Sequence, residues 1–488
     1  MYLASERVGT CAANTILRGD CLQACAYLKE RGLHPDLVYI DPPFASAKAY
    51  KKPIYLRPLP GQPRPPQAKL TPAWQQTIFQ DNRQPEDFLA WMRPNLQAIY
   101  NVLSSSGVLF VHLDHHISHY VKVMLDEIFG RDNFRNEIIW SYKTGGTSKR
   151  TFAQKHDTIF FYSKGSKYVF NPQFYRSYQA KRYNYNPNYP ELWDEEAQRW
   201  YHLAVCRDVW EDIKVIGTER DGSERLDYPT QKPLALLQRI IAAASHEGQL
   251  IADFFGGSGV CAAAAHSLGR HFFHSDCSAQ SIITCRGRLL QAGAEFTVYQ
   301  PYDSTICSYS SSDSQLDSQL DLHSNSQSDS PSSEAERISS ASNTSQNSIS
   351  PGPISQAPLA QNAQLDCTLL PQSSGSWLIS INAYRAPRLE KTIGELNAKA
   401  QRSSAAAKQK KILAYSESEL EFLEWLSVDC QSGEGCWHSD SELYIDAYGQ
   451  ARHNGDQLFV WDGTLYSPSR PLRLKVRDIA GQETIIKL

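Results

Sequence analysis

From Leu17 to Ala294, short apolar runs alternate with amphipathic helical stretches, and no other feature restricts the fold of this chain as much. Short, nearly continuous apolar runs suit strands covered on both faces, and helices spaced between them supply the cover. The result is a mostly parallel sheet with helices on either side. The predicted strands are Leu37 to Ile40, Val108 to Leu113, Thr158 to Tyr162, Leu250 to Phe255 and His271 to Ser275. The predicted helices are Cys21 to Arg31, Pro85 to Leu103, Ile117 to Phe129, Pro233 to Ser245 and Val260 to Leu268. The Pro- and Lys-rich stretch from Lys48 to Trp74 reads as a loop.

At 488 residues the chain exceeds one compact core, so two or three domains are expected. Residues 303–366 are dominated by Ser, Gln, Asn and Asp, bury too little to offset ordering entropy, and read as a disordered linker. Residues 367–426 read as a partly helical connector, helix-prone from Arg388 to Leu426. Residues 427–488 carry short alternating runs between Gly, Asn and Asp and suggest a small β-rich module. The 11 cysteines include no CxxC pair, which argues against a disulfide framework and a zinc ribbon, and no metal is expected. Cys21 and Cys25, at helical spacing, are expected to pack. With no signal peptide at the start and apolar runs such as Gly107 to Leu113 too short for a bilayer, a cytoplasmic location is expected.

Four motifs suggest chemistry. Asp41-Pro42-Pro43-Phe44 directly follows a predicted strand, and its prolines stiffen the turn so that a carboxylate and a ring project at fixed angles. An amino group conjugated to a base ring is a poor nucleophile until it is aligned. Asp41 and the Pro42 carbonyl can each accept one of its N–H groups while Phe44 stacks on a flipped base. Alone, the tetrapeptide is also compatible with an ordinary Pro-Pro turn.

The second motif is the strand and turn from Leu250 through Asp253, Phe255 and Gly257 to Gly259, followed by a helix, with a strand ending in Asp276 further on. Glycines allow a sharp turn and close approach to a ligand, and Asp276 can take the two hydroxyls of a ribose. A packing turn or a dinucleotide site explains the glycines equally well, although Ala262 breaks the fuller glycine spacing. Third, Thr230 and Lys232 precede a helix. They can hold the carboxylate of an amino-acid-like cofactor or simply start that helix. Asp20 similarly either faces an adenine ring or caps a helix.

The formal net charge of −3 is uninformative until it is resolved along the chain. Between Arg131 and Pro190, eleven Lys or Arg face three acids, Asp132, Glu137 and Asp157, with aromatics interleaved. Cations for phosphates beside rings for bases suit nucleic acid, and Lys143, Lys149, Arg150, Lys181 and Arg182 are the expected contacts. A solvated insertion with packing tyrosines is the alternative.

Taken in order, these motifs resemble the beta class of amino-group DNA methyltransferases, including modification subunits of type III restriction systems. In that class the catalytic tetrapeptide precedes the cofactor glycines, a circularly permuted order. Here Gly19-Asp20, Asp41 to Phe44, Ser106 to His112, Phe134 to Trp140, His156 to Lys164, Thr230 to Pro233 and the glycine strand follow one another, and the likeness covers residues 14–300. It implies a Rossmann-like α/β methyltransferase fold built from residues 1–130 and 201–300. Residues 131–200 would form a target-recognition insertion whose ends, about 134–164, partly belong to the catalytic sheet.

The resemblance also implies S-adenosylmethionine over Asp253, Phe255, Gly257, Gly259 and Asp276, with Asp20, Thr230 and Lys232 completing that site. Asp41, Pro42, Pro43 and Phe44 would be the catalytic group. An Asp opening the tetrapeptide implies adenine N6, and cytosine N4 is the alternative. Double-stranded DNA is the expected substrate, with a second copy of the chain and a restriction or defence subunit as partners. Phe254 and Val260 depart from the family's usual Pro and Thr. They motivate a competing reading as a sequence-reading subunit that methylates weakly. An RNA or protein-amide methyltransferase would usually open the tetrapeptide with Asn, and a dinucleotide oxidoreductase would leave Asp41 without a role.

Overall fold

The computed structural model describes residues 2–10, 13–44, 48–81, 84–142, 149–179, 190–216, 224, 226, 228–301, 363–401, 412–454 and 458–488. The expected linker therefore lies outside the described residues up to residue 362. The alternation read from the sequence becomes an eleven-stranded sheet. Its centre runs Phe134–Ser141, His156–Ser163, Val108–Leu113, Leu37–Ile40, Leu250–Asp253, His271–Asp276, Thr15–Arg18, Phe296–Pro301. From Val108–Leu113 to Phe296–Pro301 neighbouring strands are parallel, while His156–Ser163 runs against its neighbours. The fold is the α/β, Rossmann-like arrangement expected.

Every residue of Leu37–Ile40 and Val108–Leu113 is buried, which is why these strands read as unbroken apolar runs. Successive side chains alternate faces. Leu37, Tyr39, Val108 and Phe110 pack with Leu236, Ile240 and the alanines of helix Val260–Ser267. Val38, Ile40, Leu109 and Val111 pack with Leu28, Leu96 and Leu125, from helices Cys21–Glu30, Pro85–Val102 and Ser118–Phe129. The earlier helices thus cover one face and the later helices the other.

Two expectations need correction. The segment from Lys48 to Trp74 is not simply a loop, because Lys48–Ile54 pairs antiparallel with Trp74–Asp81. Pro53 is tolerated there because a two-stranded ribbon is all edge. Between these strands the chain straps the C-terminal segment: the amides of Arg57, Gly61 and Arg64 donate to the carbonyls of Glu421, Trp461 and Tyr448 at 3.0, 2.7 and 2.8 Å.

The second correction concerns residues 367–426. They open on a hairpin, Gln364–Pro371 with Trp377–Arg385, and their helix is confined to Pro387–Gln401. The predicted helix-prone stretch ends instead in the fully buried strand Leu423–Asp429. Helix propensity is overridden by burial, since Leu423, Leu426 and Val428 join the C-terminal core in this strand and Glu424 is paired there with Arg57 at 3.0 Å and Arg477 at 3.1 Å.

The C-terminal segment, residues 363–488, comprises a six-stranded and a three-stranded sheet around a core of its own, and residues on either side of 303–361 form one compact unit. Trp437–His438 even adds to the edge of the large sheet, parallel to Tyr2–Val8. Buried charges lock this junction. Arg286 Nε donates to Glu6 at 2.7 Å and Nη1 to Glu442 at 2.9 Å, with all three side chains under 10% exposed. No helix among the described residues is long and apolar enough to cross a membrane.

Removing one member of a buried ionic cluster strands the others in a poor solvent for charge. Arg286→Ala is therefore expected to cost about 3–5 kcal/mol, read as a lower denaturation midpoint. Burial pushes the Glu6 carboxyl up, but Arg286 and Lys475 bring it below its ordinary value overall. A depressed folded pKa contributes stability above the unfolded pKa that is lost as pH falls. Acidification through the carboxylate range should thus weaken the wild type more steeply than Arg286→Ala.

Candidate active site

Leu37–Ile40 and Leu250–Asp253 are parallel neighbours, with Ile251 opposite Leu37 and Ala252 opposite Val38. The residues that follow them, Asp41 to Phe44 and Phe254 to Gly259, consequently leave the same edge of the sheet side by side. Together they line a cleft of about 570 Å³. Of the residues expected to form the site, Asp20, Asp41, Pro42, Pro43, Phe44, Thr230, Lys232, Asp253, Phe255, Gly257 and Asp276 all reach it. Tyr228, Gln231 and Ser258, which lie inside the sequence motifs without an assigned role, also line it, as do Tyr39, Trp91 and Asn95, which carried no motif signal. Trp91 and Asn95 sit one helical turn apart on Pro85–Val102 and read in the sequence as ordinary residues of an amphipathic helix.

Gly259 is the exception. It lies outside the cleft lining, at φ 74° as the N-cap of helix Val260–Ser267. A Cβ there would lie 2.6 Å from Cys285 Sγ and 2.7 Å from its Cα, so this glycine permits close helix packing. Gly256 is also required, because a Cβ would fall into the His274 ring. That ring is fully buried and neutral, its pKa lowered to about 3 by burial.

Asp276 accepts the amides of Gly257 at 3.0 Å and Ser278 at 2.8 Å, which fixes the turn while leaving further lone pairs on both oxygens. Burial raises its pKa. Asp253 accepts the Phe255 amide at 3.0 Å, and its carboxyl is pushed well above the ordinary range, first by burial and then by Asp41 and Asp276. Asp20 caps helix Cys21–Glu30 in a capping box with Gln23, so its cap role and its place in the cleft coexist. Thr230 is held at φ 65°, a strained conformation for a β-branched residue.

The sequence reading placed Lys232 on a cofactor carboxylate. In the structure its ammonium pairs directly with Asp41 Oδ2 and lies 5.4 Å from the centre of the Phe44 ring. Beneath Phe44 lies a polar relay unforeseen from the motifs. Phe44 stacks on His112 with 6.4 Å between ring centres. His112 is bound by Tyr39 Oη at 2.8 Å and Asp157 Oδ2 at 3.1 Å, and Tyr142 Oη donates to Asp157 Oδ1 at 3.1 Å. Burial pushes the Asp157 carboxyl up, but His112 and the Lys232 charge leave it lowered.

Phe254 turns into the core against Phe273, with 6.0 Å between ring centres, and Val260 is a buried part of the cleft wall, so neither departure closes the site. Within the basic segment, Phe134–Ser141 and His156–Ser163 belong to the large sheet. Phe174–Gln179, Leu192–Asp194 and Arg199–Val205 form a separate three-stranded sheet, extending past the expected limit at residue 200. Lys149 and Arg150 are exposed, whereas Lys143, Lys181 and Arg182 lie outside the described residues. Among the described residues, Asp114, His115 and His116 have potential metal-ligand atoms within 4.8 Å of one another. Its Asp114–His116 contact of 2.7 Å is explained by the turn in which Asp114 also accepts the His116 amide.

A family model described as DNA methylase, of N6 and N4 type, matches residues 35–282, the stretch that contributes both loops. The chain belongs to this family of amino-group DNA methyltransferases. Similar proteins include the DNA adenine methyltransferase YhdJ of Escherichia coli (strain K12), 25% identical over 277 residues that cover 55% of this chain and 80% of that protein. The type II methyltransferase M.HpaI of Haemophilus parainfluenzae is 25% identical over 296 residues, covering 59% and 77%. Among solved structures, the cytosine-N4-specific PvuII DNA methyltransferase aligns at 13% identity and TM-score 0.36, covering 57% of this chain and 86% of that one.

In this methyltransferase, His112→Ala should cost about 2–4 kcal/mol, because it opens a cavity and leaves Asp157 short of a partner. Phe44→Ala, at a half-buried ring, should change the denaturation midpoint much less. Asp253 has the opposite pH signature to Glu6: its raised folded pKa means that stability falls as pH rises from the unfolded pKa toward the folded one. Asp253→Asn should flatten that decline in a series of denaturation curves from acid to neutral pH.

Proposed function

We propose that the cleft binds S-adenosylmethionine and that the protein methylates N6 of an adenine flipped out of double-stranded DNA. The observation that carries this reading is the charge of the cleft: Asp20, Asp41, Asp253 and Asp276 line it against the single ammonium of Lys232. S-adenosylmethionine, with its sulfonium, ammonium and one carboxylate, is a net cation and suits such a site. A dinucleotide pyrophosphate would meet repulsion there. The volume of about 570 Å³ also falls within the usual range for sites of this ligand size. Adenine is supported by the Asp that opens the tetrapeptide and by the similarity to a DNA adenine methyltransferase.

When bound, the donor supplies a methyl group already activated by positive sulfur. The remaining work falls to the chain's own groups. Lys232 occupies Asp41 Oδ2, which leaves Oδ1 and the Pro42 carbonyl to accept the two N–H groups of the target amine. Held in this way, the nitrogen lone pair would face the methyl carbon in line with its bond to sulfur. As the N–C bond formed the S–C bond would break, the neutral thioether would leave, and the nitrogen would then lose a proton to solvent. Phe44, backed by His112, stacks on the extruded base, and Asp276 accepts the ribose hydroxyls. Lys232, anchored on Asp41, has further N–H donors for the donor's carboxylate. Exposed Lys149 and Arg150 and the small sheet of residues 174–205 are assigned to the DNA-facing surface, where exposed Phe174 and Trp193 offer stacking faces.

Asp41→Ala should reduce methyl transfer by about 100-fold or more while donor binding is largely retained. Comparable turnover in that variant would sink the assignment. Long-read sequencing of DNA from cells expressing the wild type should show methylated adenine within one short motif, and methylated cytosine instead would move the target to N4.

A further inference from the structure

A second cavity, of about 430 Å³, lies between helix Ala279–Gln291 and the six-stranded C-terminal sheet. It contains none of the residues assigned above to catalysis or donor binding. Five cationic side chains line it, Lys52, Arg286, Arg288, Arg452 and Arg477, against the carboxylates Glu424, Asp440 and Glu442.

The carboxylates are already committed. Glu424 is held by Arg57 and Arg477 at 3.0 and 3.1 Å, and Glu442 by Arg286 at 2.9 Å and the Trp425 indole at 3.0 Å. Asp440 accepts the Cys430 amide and the Gln431 side chain, each at 2.6 Å. Positive charge is left over. Arg288 donates through Nε to the Ser258 carbonyl at 3.0 Å, which fixes its guanidinium, yet its buried Nη2 has no hydrogen-bond partner among the described residues. Arg477 Nη1 is likewise buried without a hydrogen-bond partner among the described residues, although it forms a long ion pair with Glu483 at 4.0 Å. Arg452, opposite Tyr444 in the sheet, makes no ion pair with any described residue. Burial lowers the proton affinity of Arg288 by more than the nearby Cys285 and Glu224 raise it.

An uncompensated guanidinium at a cavity wall is costly in the empty protein, and an oxyanion that accepts from it in the planar fork geometry relieves that cost. The space far exceeds a bare oxyanion, and Leu226, Ile283, Leu290 and Tyr444 give part of the wall an apolar or aromatic character. We propose that this cavity binds a phosphate-bearing small molecule of the nucleoside monophosphate class, with Arg288 and Arg452 on the phosphate. The inference is independent of what the first cleft binds.

Calorimetric titration of the full-length protein tests it, with uridine 5′-monophosphate as the probe because it lacks the exocyclic amino group that the first cleft is built to orient. One saturable site is expected, with uridine and inorganic phosphate each binding at least about tenfold more weakly, since each lacks half of the recognised chemistry. Arg288→Gln and Arg452→Gln should each weaken the nucleotide by about tenfold or more. Arg452 has no ion pair to lose, so an unchanged melting temperature in that variant shows that the fold is intact. No saturation at millimolar nucleotide would overturn the proposal, as would affinity untouched by both substitutions or lost in Asp41→Asn. Inorganic phosphate binding as tightly as the nucleotide would overturn the nucleoside class. Displacement of the nucleotide by duplex DNA in the wild type but not in Arg452→Gln would trace the phosphate to the DNA backbone and overturn the small-molecule reading.

Discussion

Leu37–Ile40 and Leu250–Asp253 come from opposite ends of the catalytic region yet hydrogen-bond in parallel at the centre of the sheet. Because the strands run in the same direction, the loops that leave their C-terminal ends must emerge at one edge. One loop carries a carboxylate and an aromatic ring on a stiff Pro-Pro turn, and the other carries a glycine turn tied to Asp276. Most of what the site can do follows from that adjacency. A one-residue slip would turn every side chain to the other face, burying the wrong set, so the two apolar cores hold the register that holds the site.

The cleft concentrates negative charge where burial disfavours it. Asp253 and Asp276 are both pushed toward their protonated forms by desolvation, and the Asp41–Lys232 pair is the local counterweight. Such an arrangement destabilises the empty protein and favours a cationic ligand, a common division between stability and function. The polar relay from Tyr39 through His112 to Asp157 and Tyr142 serves a different purpose. It gives Phe44 a fixed backing ring deep in the sheet, so that the stacking surface is set by buried hydrogen bonds rather than by loop packing alone.

The C-terminal segment is built into the catalytic region at several points. A strand of it extends the large sheet, its arginines and glutamates interleave with Glu6, Arg57 and Arg286, and the strap after the tetrapeptide loop lies across it. The chain segment that begins at the site therefore ends up anchored on the C-terminal sheets, so displacement of those sheets would be felt in the backbone that follows Phe44.

The strand and helix alternation, the permuted motif order and the motif-borne residues of the first cleft were legible in the sequence, because buried strands and stiff or glycine turns leave local signatures, whereas Tyr39, Trp91 and Asn95 joined the cleft only through packing. Asp20, Asp41, Phe44, Lys232 and Asp276 could all be named from local context alone. Which partner each side chain meets could not. That Lys232 reaches Asp41, that Gly259 serves helix packing against Cys285, that His112 lies under Phe44, and that Glu424 draws a helix-prone stretch into a strand all depend on contacts between residues distant in sequence. Periodicity encodes which face of an element is buried, but the choice of neighbour is made only when the faces pack, and that decision belonged to the tertiary structure.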